Sequence, residues 1–383
     1  MKSRPDAAGR ILGGPFVTLW VSIFLGTSQY HLLVPLVPLL LVDLGADAAL
    51  IGLAALVFSL PSILFRPILG RAVDRRGPRL VVGAGEVILA VTALVFAIPA
   101  LLAILVGRAI QGVGWAALNT GGYAFLGRLA PADRRAEASG YYSVAPAIAQ
   151  LVMPGLGIGL YTLAGYPLAM LVGTITALLA LTVMWHTRVP DPVDRVESTR
   201  SDRGLTERSA VLPMILESVH AATQSIFTFF MPVLVLASGV PVQALALYYP
   251  AYGVVAVTGR LFAPRLADRL GRDTTLIIGI ALGLVALILG VLAPHFVVLA
   301  VAGCLAAGAG AILGPTLLAL TIDRAPPSRI GAAVATYSMG YQIGAGFGGA
   351  VWGVMFATLG TASPFLAAAA VHVAVIGILW LRR

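Results

Sequence analysis

The chain contains very little of what enzymes and metal-binding proteins commonly use. Its 383 residues include one cysteine, Cys304, and one lysine, Lys2. A single thiol excludes a disulfide framework and a cysteine-based metal cluster. With its lysine at position 2, the chain also lacks a Gly-x4-Gly-Lys-Ser/Thr loop that would hold nucleotide phosphates. The sequence shows no metal-ligand cluster and no nucleophile elbow, so we expect neither a cofactor nor a metal ion, and no enzyme active site.

Charged residues are scarce as well. They make up 11% of the chain, against about 25% in soluble domains, while the mean hydropathy is +0.96. This composition excludes a soluble globular protein and places nearly all of the chain in a lipid bilayer. The net charge of +9 would suggest a nucleic-acid-binding protein if it were gathered on one face or tail. The basic residues are instead confined to short segments between apolar runs, so we expect no nucleic acid partner.

Long apolar runs occupy most of the chain. A transmembrane helix needs about 20 predominantly apolar residues, and twelve such segments follow one another. The first is too long for the core of a signal peptide and lacks a small-residue cleavage pattern, so we interpret it as a span. The predicted fold class is an all-α integral membrane protein with twelve transmembrane helices. The predicted spans are 15–41, 49–69, 80–99, 101–127, 139–164, 168–187, 211–236, 243–263, 274–293, 296–320, 331–358 and 364–381.

The basic residues predict how the chain is oriented. All of them except Arg108 fall in the terminal segments or in the loops and helix ends on one side of the spans. Basic residues accumulate on the cytoplasmic side of membrane proteins, so we expect this side to be cytoplasmic. An even number of spans places both termini there. The prediction is a multi-pass protein of a bacterial cytoplasmic (inner) membrane.

An eight-residue cassette occurs twice. Residues 70–77 read GRAVDRRG and residues 264–271 read PRLADRLG, and Arg66 and Arg260 precede the two copies at the same offset. Further positions match at a register of 194 or 195, such as Tyr142 and Tyr337. Tandem halves in a membrane protein place a binding site at their interface and move by rocking around it, which is typical of a transporter. The predicted units are an N-terminal six-helix half at 1–187, a cytoplasmic linker at 188–210 and a C-terminal six-helix half at 211–383.

The first cassette, followed by Pro78 and Arg79, resembles the signature of the major facilitator superfamily between helices 2 and 3. The resemblance extends over essentially the whole chain. The second copy is weaker, because Pro264 replaces the leading glycine. The final glycine of each copy allows a tight turn. The resemblance implies a cytoplasmic gate that latches the halves together in the outward-open state, and the predicted gate residues are Gly70, Asp74, Arg75, Gly77, Asp268, Arg269 and Gly271.

A second motif of that family, Arg108-Ala-Ile-Gln111-Gly112-Val-Gly114, lies in the fourth predicted span. A charge inside a span is costly, so Arg108 is expected to face a cavity or a partner. Helical spacing places Gln111, Trp115 and Asn119 on the same face as Arg108. The resemblance implies a role for Arg108 in substrate and proton coupling. The alternative is an arginine that snorkels near the periplasmic end.

The fifth predicted span is similar to the motif Gly-x8-Gly-x3-Gly-Pro-x2-Gly of the antiporter branch. Gly140, Pro154 and Gly157 match, while Ala149 and Met153 replace glycines. The departure at Met153 weakens the similarity to exporters without removing it.

Two acids, Glu86 and Glu217, lie within predicted spans. Glu217 is followed at helical spacing by His220, Gln224 and Thr228, which therefore share one face of the seventh span. In this family that helix lines the central cavity. Burial disfavours the charged form of a carboxyl, so Glu217 can trade protons, and a neighbouring imidazole can relay them. We predict proton coupling through Glu217, His220 and Arg108. The alternative for Glu217 is a structural carboxyl paired with an arginine, which is the favoured interpretation of Glu86.

Polar and aromatic residues at the expected cavity face complete the predicted substrate site. They come from the first, fourth and seventh spans, and the predicted cavity residues are Gln29, Tyr30, His31, Gln111, Trp115, Asn119, Gln224 and Thr228.

The resulting hypothesis is proton-coupled export of a small organic molecule, either drug-like or a metabolite, by alternating access. One alternative is import of a sugar or an organic anion, in which Arg108 binds the anion. A second, from another class, is a membrane sensor that binds a ligand without moving it. The expected partners are the small-molecule substrate, protons and the lipid bilayer, and we expect the chain to work as a monomer.

Overall fold

The computed structural model describes residues 13–130, 135–187, 207–292, 295–326 and 329–381. The described residues are helical almost throughout, and they contain no β-strand. Most of the predicted linker, residues 188–206, lies outside the described residues.

The described part of the chain forms fifteen α-helices, several of which are pieces of one bent span. Their bounds are α1 Gly14–Leu33, α2 Leu36–Asp43, α3 Ala48–Leu64, α4 Arg66–Arg76, α5 Pro78–Phe96, α6 Leu101–Leu129, α7 Arg135–His186, α8 Val211–Thr228, α9 Met231–Ala237, α10 Leu245–Leu270, α11 Arg272–Val291, α12 Phe296–Arg324, α13 Ile330–Ile343, α14 Gly349–Leu359 and α15 Ser363–Leu381. A π-helical turn, Gly344–Gly348, joins α13 to α14.

These helices correspond to the twelve predicted spans. Among the described residues, seven helical segments are long and apolar enough to cross a bilayer, and the bent pairs α3 with α4 and α8 with α9 add two more. α7 contains two predicted spans, because its backbone leaves helical geometry at Ala164 and Gly165. α10 and α15 correspond to the eighth and twelfth spans. The fold is an all-α bundle of twelve membrane helices in two six-helix halves.

The internal repeat is visible in the backbone. Among the described residues, six glycines have positive φ, a conformation that side chains with a Cβ rarely adopt. They form three pairs separated by 194 or 195 residues: Gly45 and Gly239, Gly77 and Gly271, and Gly165 and Gly360. The break between α1 and α2 likewise recurs between α8 and α9 at the same register. The two halves therefore share turns and helix breaks as well as the cassette.

The halves pack closely at the end of the bundle that contains α2 and α9, which we call the closed end. There α3 meets α14 through glycines: a Cβ on Gly52 would collide with the backbone of Gly349, and one on Gly353 with the Ala48 carbonyl oxygen. α7 meets α10 in the same way, since Gly253 lies against Leu151. Backbones approach this closely only where side chains are absent.

The opposite end carries both cassettes, and we call it the cassette end. α4 packs there mainly against α5 and α6 of its own half. Two side-chain contacts cross between the halves: Arg66 Nη1 lies 3.1 Å from Ser338 Oγ, and Arg260 Nη2 lies 3.4 Å from Gln150 Oε1. These contacts are reciprocal, since α4 reaches α13 while α10 reaches α7. The halves are therefore joined more loosely at the cassette end than at the closed end.

A glycine stripe positions α8 against α13. Gly340, Gly344 and Gly348 face α8, and a Cβ on them would collide with the Met214 carbonyl oxygen, the Ser218 carbonyl oxygen and Ala222, respectively. This close approach brings the face of α8 that carries Glu217 against α13.

Candidate functional site

A cavity of about 50 Å³ lies between the two halves. It has room for a few water molecules, since one water needs roughly 10–15 Å³. Both halves contribute to its wall, and its main polar and aromatic lining residues are Tyr30, Phe58, Ser59, Arg108, Ser225, Thr228, Phe229, Tyr341 and Gln342. An organic substrate larger than a few waters fits only if the halves move apart.

Arg108 is the charged residue of this cavity. Its side chain is buried, with 4% of its surface exposed. Its Nε donates a hydrogen bond to the Ala54 carbonyl oxygen (3.2 Å) and its Nη1 to Gln111 Oε1 (2.6 Å). The guanidinium Cζ lies 4.4 Å from the ring centre of Phe58 and 5.4 Å from that of Phe229. Arg108 is thus held by a carbonyl, an amide and two aromatic faces, and no carboxylate lines the cavity with it.

Aromatic rings form the wall contributed by the N-terminal half. The Tyr30 ring lies 4.2 Å from that of Trp115 and 5.3 Å from that of Phe58. His31 makes an edge contact with Trp115 at 6.1 Å. Three of the predicted cavity residues of α1 and α6, namely Tyr30, His31 and Trp115, therefore meet in one cluster, and this cluster presents π faces and few hydrogen-bonding groups.

Two of the predicted cavity residues point elsewhere. Gln29 is fully buried, and its amide donates a hydrogen bond to the Leu89 carbonyl oxygen on α5 (3.0 Å). Asn119 donates to the Trp115 carbonyl oxygen of its own helix (2.8 Å). Both side chains are occupied with contacts inside the N-terminal half.

Glu217 lies on α8 among hydrogen-bonding residues of the C-terminal half. Its side chain is 7% exposed. The Tyr337 hydroxyl lies 3.0 Å from Glu217 Oε2 and 3.1 Å from the Gly314 carbonyl oxygen. Arg260 lies within electrostatic range of Glu217 and Tyr337. The carboxyl therefore has one hydroxyl within hydrogen-bond distance and one positive charge nearby.

The remaining predicted residues of α8 follow Glu217 toward the closed end. His220 shares a cavity of about 10 Å³ with His372, a residue to which the sequence analysis attached no role. Gln224 donates a hydrogen bond from its amide to the Tyr252 hydroxyl (2.8 Å), and Thr228 reaches the Arg108 cavity. The polar face of α8 thus extends from Glu217 to the Arg108 cavity.

Arg66 and Arg260, which marked the repeat and the membrane topology in the sequence, also lie close to the site. Both lie within electrostatic range of the Tyr123 hydroxyl, and each reaches across to the other half. Tyr341, 40% exposed, lines the same space as Arg108. The signal was available, since both arginines precede a cassette by the same offset.

The predicted gate residues lie at the cassette end. Gly77 and Gly271 have φ of 86° and 79° and connect α4 to α5 and α10 to α11. Asp74 and Arg75 are exposed on α4, as Arg269 is on α10. The side chain of Asp268 falls outside the described residues. In this conformation α4, which contains Gly70 and most of the first cassette, packs within its own half.

An ion pair between Glu207 and Arg329 lies outside the membrane helices. Glu207 precedes α8, and its Oε2 lies 2.6 Å from Arg329 Nε. The backbone N–H of Ser209 and the charge of Arg329 lower the pKa of the Glu207 carboxyl. The Glu207 backbone N–H also donates to Thr336 Oγ1 (2.9 Å), so this pair ties the start of α8 to α13. Across the described ranges, no group of three or more His, Cys, Asp or Glu side chains is arranged to hold a metal ion.

The chain is similar to known proteins both in sequence and in fold. The model of the Major Facilitator Superfamily matches residues 19–266 and 213–383. The chain is 24% identical over 282 residues, 69% of each chain, to the multi-drug resistance efflux pump PmrA homolog of Lactococcus lactis subsp. lactis (strain IL1403). It is 25% identical over 187 residues to the staphylopine export protein of Staphylococcus aureus (strain Mu50 / ATCC 700699), which covers 48% of this chain and 47% of that protein. The crystal structure of a D-xylose-proton symporter superposes with a TM-score of 0.78 at 16% identity, covering 96% of both chains.

Proposed function

Because this chain belongs to the major facilitator superfamily and is a multi-pass membrane transporter, we propose that it exports a small organic molecule in exchange for protons. The exchange proceeds by alternating access, in which the cavity between the halves opens to one side of the membrane at a time. The cassette end faces the cytoplasm, because the basic residues gather there. One chain forms the complete pathway.

The observation that carries this proposal is the position of Glu217. A carboxyl inside a membrane helix is costly and marks an ion or proton pathway. Glu217 is buried beside the interface between the halves, on the helix face that continues to Thr228 in the Arg108 cavity. Burial disfavours the charged form of this carboxyl, while the Tyr337 hydroxyl and the nearby Arg260 favour it, so the carboxyl can both take up and release a proton.

The direction of transport rests on the relatives. Both aligned proteins described above are named as exporters. The fifth span, with Gly140, Pro154 and Gly157, is similar to the antiporter motif. These similarities favour export over import.

The test is ethidium accumulation in an efflux-deficient bacterial host that expresses the chain, with and without an uncoupler. We expect accumulation to fall on expression and to recover when the proton gradient is dissipated. Glu217→Gln should abolish this effect, because an amide cannot carry the exchanged proton. Asp47→Asn is the matched control, since it also replaces a carboxyl by an amide. Asp47 is exposed and caps α3 through Leu50 N, and asparagine caps a helix equally well.

Ethidium export that is uncoupler-sensitive in both variants would contradict the role of Glu217. Export that persists unchanged in the presence of the uncoupler would contradict proton coupling altogether. Equal membrane expression of the variants, measured by immunoblot, makes these outcomes interpretable.

A second candidate function is transport of an organic anion, and Arg108 favours it. A buried guanidinium that lines a cavity without a carboxylate is ready to pair with an anionic group of a ligand. Fluorescein, an organic anion, is the probe. If the substrate is an anion, Arg108→Gln abolishes fluorescein transport while Glu217→Gln leaves its binding intact. If the substrate is a cation, the chain exports ethidium and leaves fluorescein in the cells. A chain that binds either dye but gives no flux in liposomes would be a sensor.

A further inference from the structure

Glu86 is the second acid within a membrane helix, and the sites described above do not use it. It lies on α5, eight residues after Pro78, and its side chain has no exposed surface. The carboxyl is packed directly against α1 at Gly26, where a Cβ would collide with both of its oxygens. The chain therefore leaves a space of one side chain between α1 and α5, and the Glu86 carboxyl fills it.

Both oxygens of this carboxyl lack a hydrogen-bond partner within the described part of the chain. The sequence analysis favoured a structural carboxyl paired with an arginine, but no described charged group lies within its electrostatic range. A carboxylate that is desolvated and unpaired is strongly disfavoured, so this group carries a proton in the present conformation. A neutral acid contributes nothing here that an apolar side chain would not, which points away from a structural role.

A tyrosine connects Glu86 to the rest of the protein. The titratable group within electrostatic range of Glu86 is the hydroxyl of Tyr142 on α7. On α1, the residue packed against the carboxyl is Gly26, which has no side chain to titrate. Tyr142 is 3% exposed, and its ring lies 5.0 Å from that of Tyr123 on α6. Tyr123 is 54% exposed and lies within electrostatic range of Arg66 and Arg260 at the cassette end. These interactions link Glu86 to the arginines of the cassette end through Tyr142 and then Tyr123.

A related pair of a tyrosine and an acid occurs in the other half of the repeat. Tyr142 and Tyr337 occupy equivalent positions, 195 residues apart, and Tyr337 is the hydrogen-bond partner of Glu217. In each half the tyrosine at this position interacts with a buried acid, through a hydrogen bond to Glu217 and within electrostatic range of Glu86, although Glu86 and Glu217 themselves lie on non-equivalent helices.

We propose that Glu86 is a second proton-binding site, located in the N-terminal half, which exchanges its proton with the cassette end through Tyr142 and Tyr123. Release breaks the O–H bond of the carboxyl, and the proton passes along the two hydroxyls to water at the cassette end; uptake reverses these steps. The coupling of this site to transport rests on the proposed function, whereas its occupancy by a proton does not.

Infrared spectroscopy of the purified protein in nanodiscs tests the site directly. A protonated carboxyl has a C=O stretching band that a carboxylate lacks. Because protonated Glu217 would give such a band as well, the comparison is made in a Glu217→Gln background. There we expect a band at neutral pH that Glu86→Gln removes and Glu207→Gln leaves in place. Transfer to D2O shifts the band as the proton exchanges, and Tyr142→Phe should slow this exchange about tenfold, equivalent to about 1.4 kcal/mol on the barrier.

In the Glu217→Gln background, a neutral-pH band that survives in Glu86→Gln would overturn the proposal, as would exchange in Tyr142→Phe at the rate of the background chain. If Glu86→Gln fails to fold, Gly26→Ala decides the matter. Its Cβ presses on the carboxyl, so the band must shift if Glu86 is its source, and an unshifted band refutes the assignment.

Coupling is measured separately, as the pH dependence of ethidium efflux from proteoliposomes. We expect Glu86→Gln to flatten the pH profile relative to the wild-type chain. A profile identical to wild type would overturn the coupling role of Glu86. If the wild-type chain shows no proton-driven efflux, the proposed function fails while the infrared result on Glu86 still stands.

Discussion

Arg108 in the N-terminal half and Glu217 in the C-terminal half are both buried beside the interface, but the protein compensates for their burial differently. Arg108 has a carbonyl, an amide and two aromatic faces around it. Glu217 has a single hydroxyl, that of Tyr337, within hydrogen-bond distance. A guanidinium stays charged in proteins and needs permanent partners. A carboxyl with one partner can change its charge, so the difference separates a fixed binding charge from an exchangeable one.

The largest effect expected from this comparison is that of Arg108→Lys. Lysine keeps the charge but cannot reach Ala54 and Gln111 together while stacking on Phe58. Loss of one charge-assisted hydrogen bond at about 2 kcal/mol predicts roughly a 30-fold increase in the KM for the transported dye. The measurement is the concentration dependence of efflux from proteoliposomes. Arg128→Lys, at an exposed arginine on the same helix, should leave the KM unchanged. An unchanged KM in Arg108→Lys would show that the contacts with Ala54 and Gln111 are not needed for binding.

Tyr337→Phe probes the other side of the comparison. It removes the hydroxyl beside Glu217 and leaves the ring in place. A hydrogen bond to an ionisable group contributes about 1.5 kcal/mol, so the rate of proton-driven efflux should fall roughly tenfold. The rate is measured under an imposed pH gradient, with Tyr141→Phe, an exposed tyrosine on α7, as the control. A Tyr337→Phe rate equal to that of the control would show that Glu217 does not depend on this hydroxyl.

Gly310→Ala tests how tightly the polar face of α8 is packed. A Cβ at Gly310 would press on the His220 ring and approach the Gln224 amide, whereas one at Gly314, a turn later on α12, meets nothing within 4 Å. Overpacking of this kind costs about 1–3 kcal/mol, so Gly310→Ala should lower Tm by a few degrees. Gly314→Ala should not lower it. Equal Tm values for the two variants would show that the His220 ring can move aside for the added Cβ. The face of α8 would then be packed less tightly than proposed, and its contrast with the rigidly held Arg108 would be weaker.

The smallest effect concerns Glu207, whose charge is paired outside the membrane. Because Ser209 and Arg329 lower the pKa of its carboxyl below the usual 4.5, the pair stabilises the folded protein above that pH. The stabilisation is lost as the pH falls through the lowered pKa. We expect the Tm difference between wild type and Glu207→Gln to be present at neutral pH and to vanish in acid. A difference that is constant with pH would mean that Glu207 acts through packing alone.

Local patterns in the chain were sufficient for the fold. Apolar run length predicted the twelve spans, and the break at Ala164 and Gly165 falls at the end of the fifth of them, within one residue of the predicted boundary. The candidate site was predicted less completely. Helical spacing identified Arg108 with Gln111 and the face of α8, but it could not show that Gln29 turns toward Leu89. Spacing tells which residues share a face, while the identity of the neighbouring helix decides what that face meets.

The amino-acid sequence by itself determined the membrane-spanning architecture, the two-fold repeat and the family, because these depend on hydropathy, spacing and motifs that are local in the chain. The tertiary structure alone decided that Arg66 meets Ser338, that His220 faces His372, and that Glu86 is buried with neither oxygen hydrogen-bonded in the described structure. Such pairs join residues far apart in the chain, and their contact depends on the rotation and depth of each packed helix. No local sequence pattern encodes that rotation. It is set separately for each pair of packed helices by close contacts, such as the one between Gly26 and Glu86.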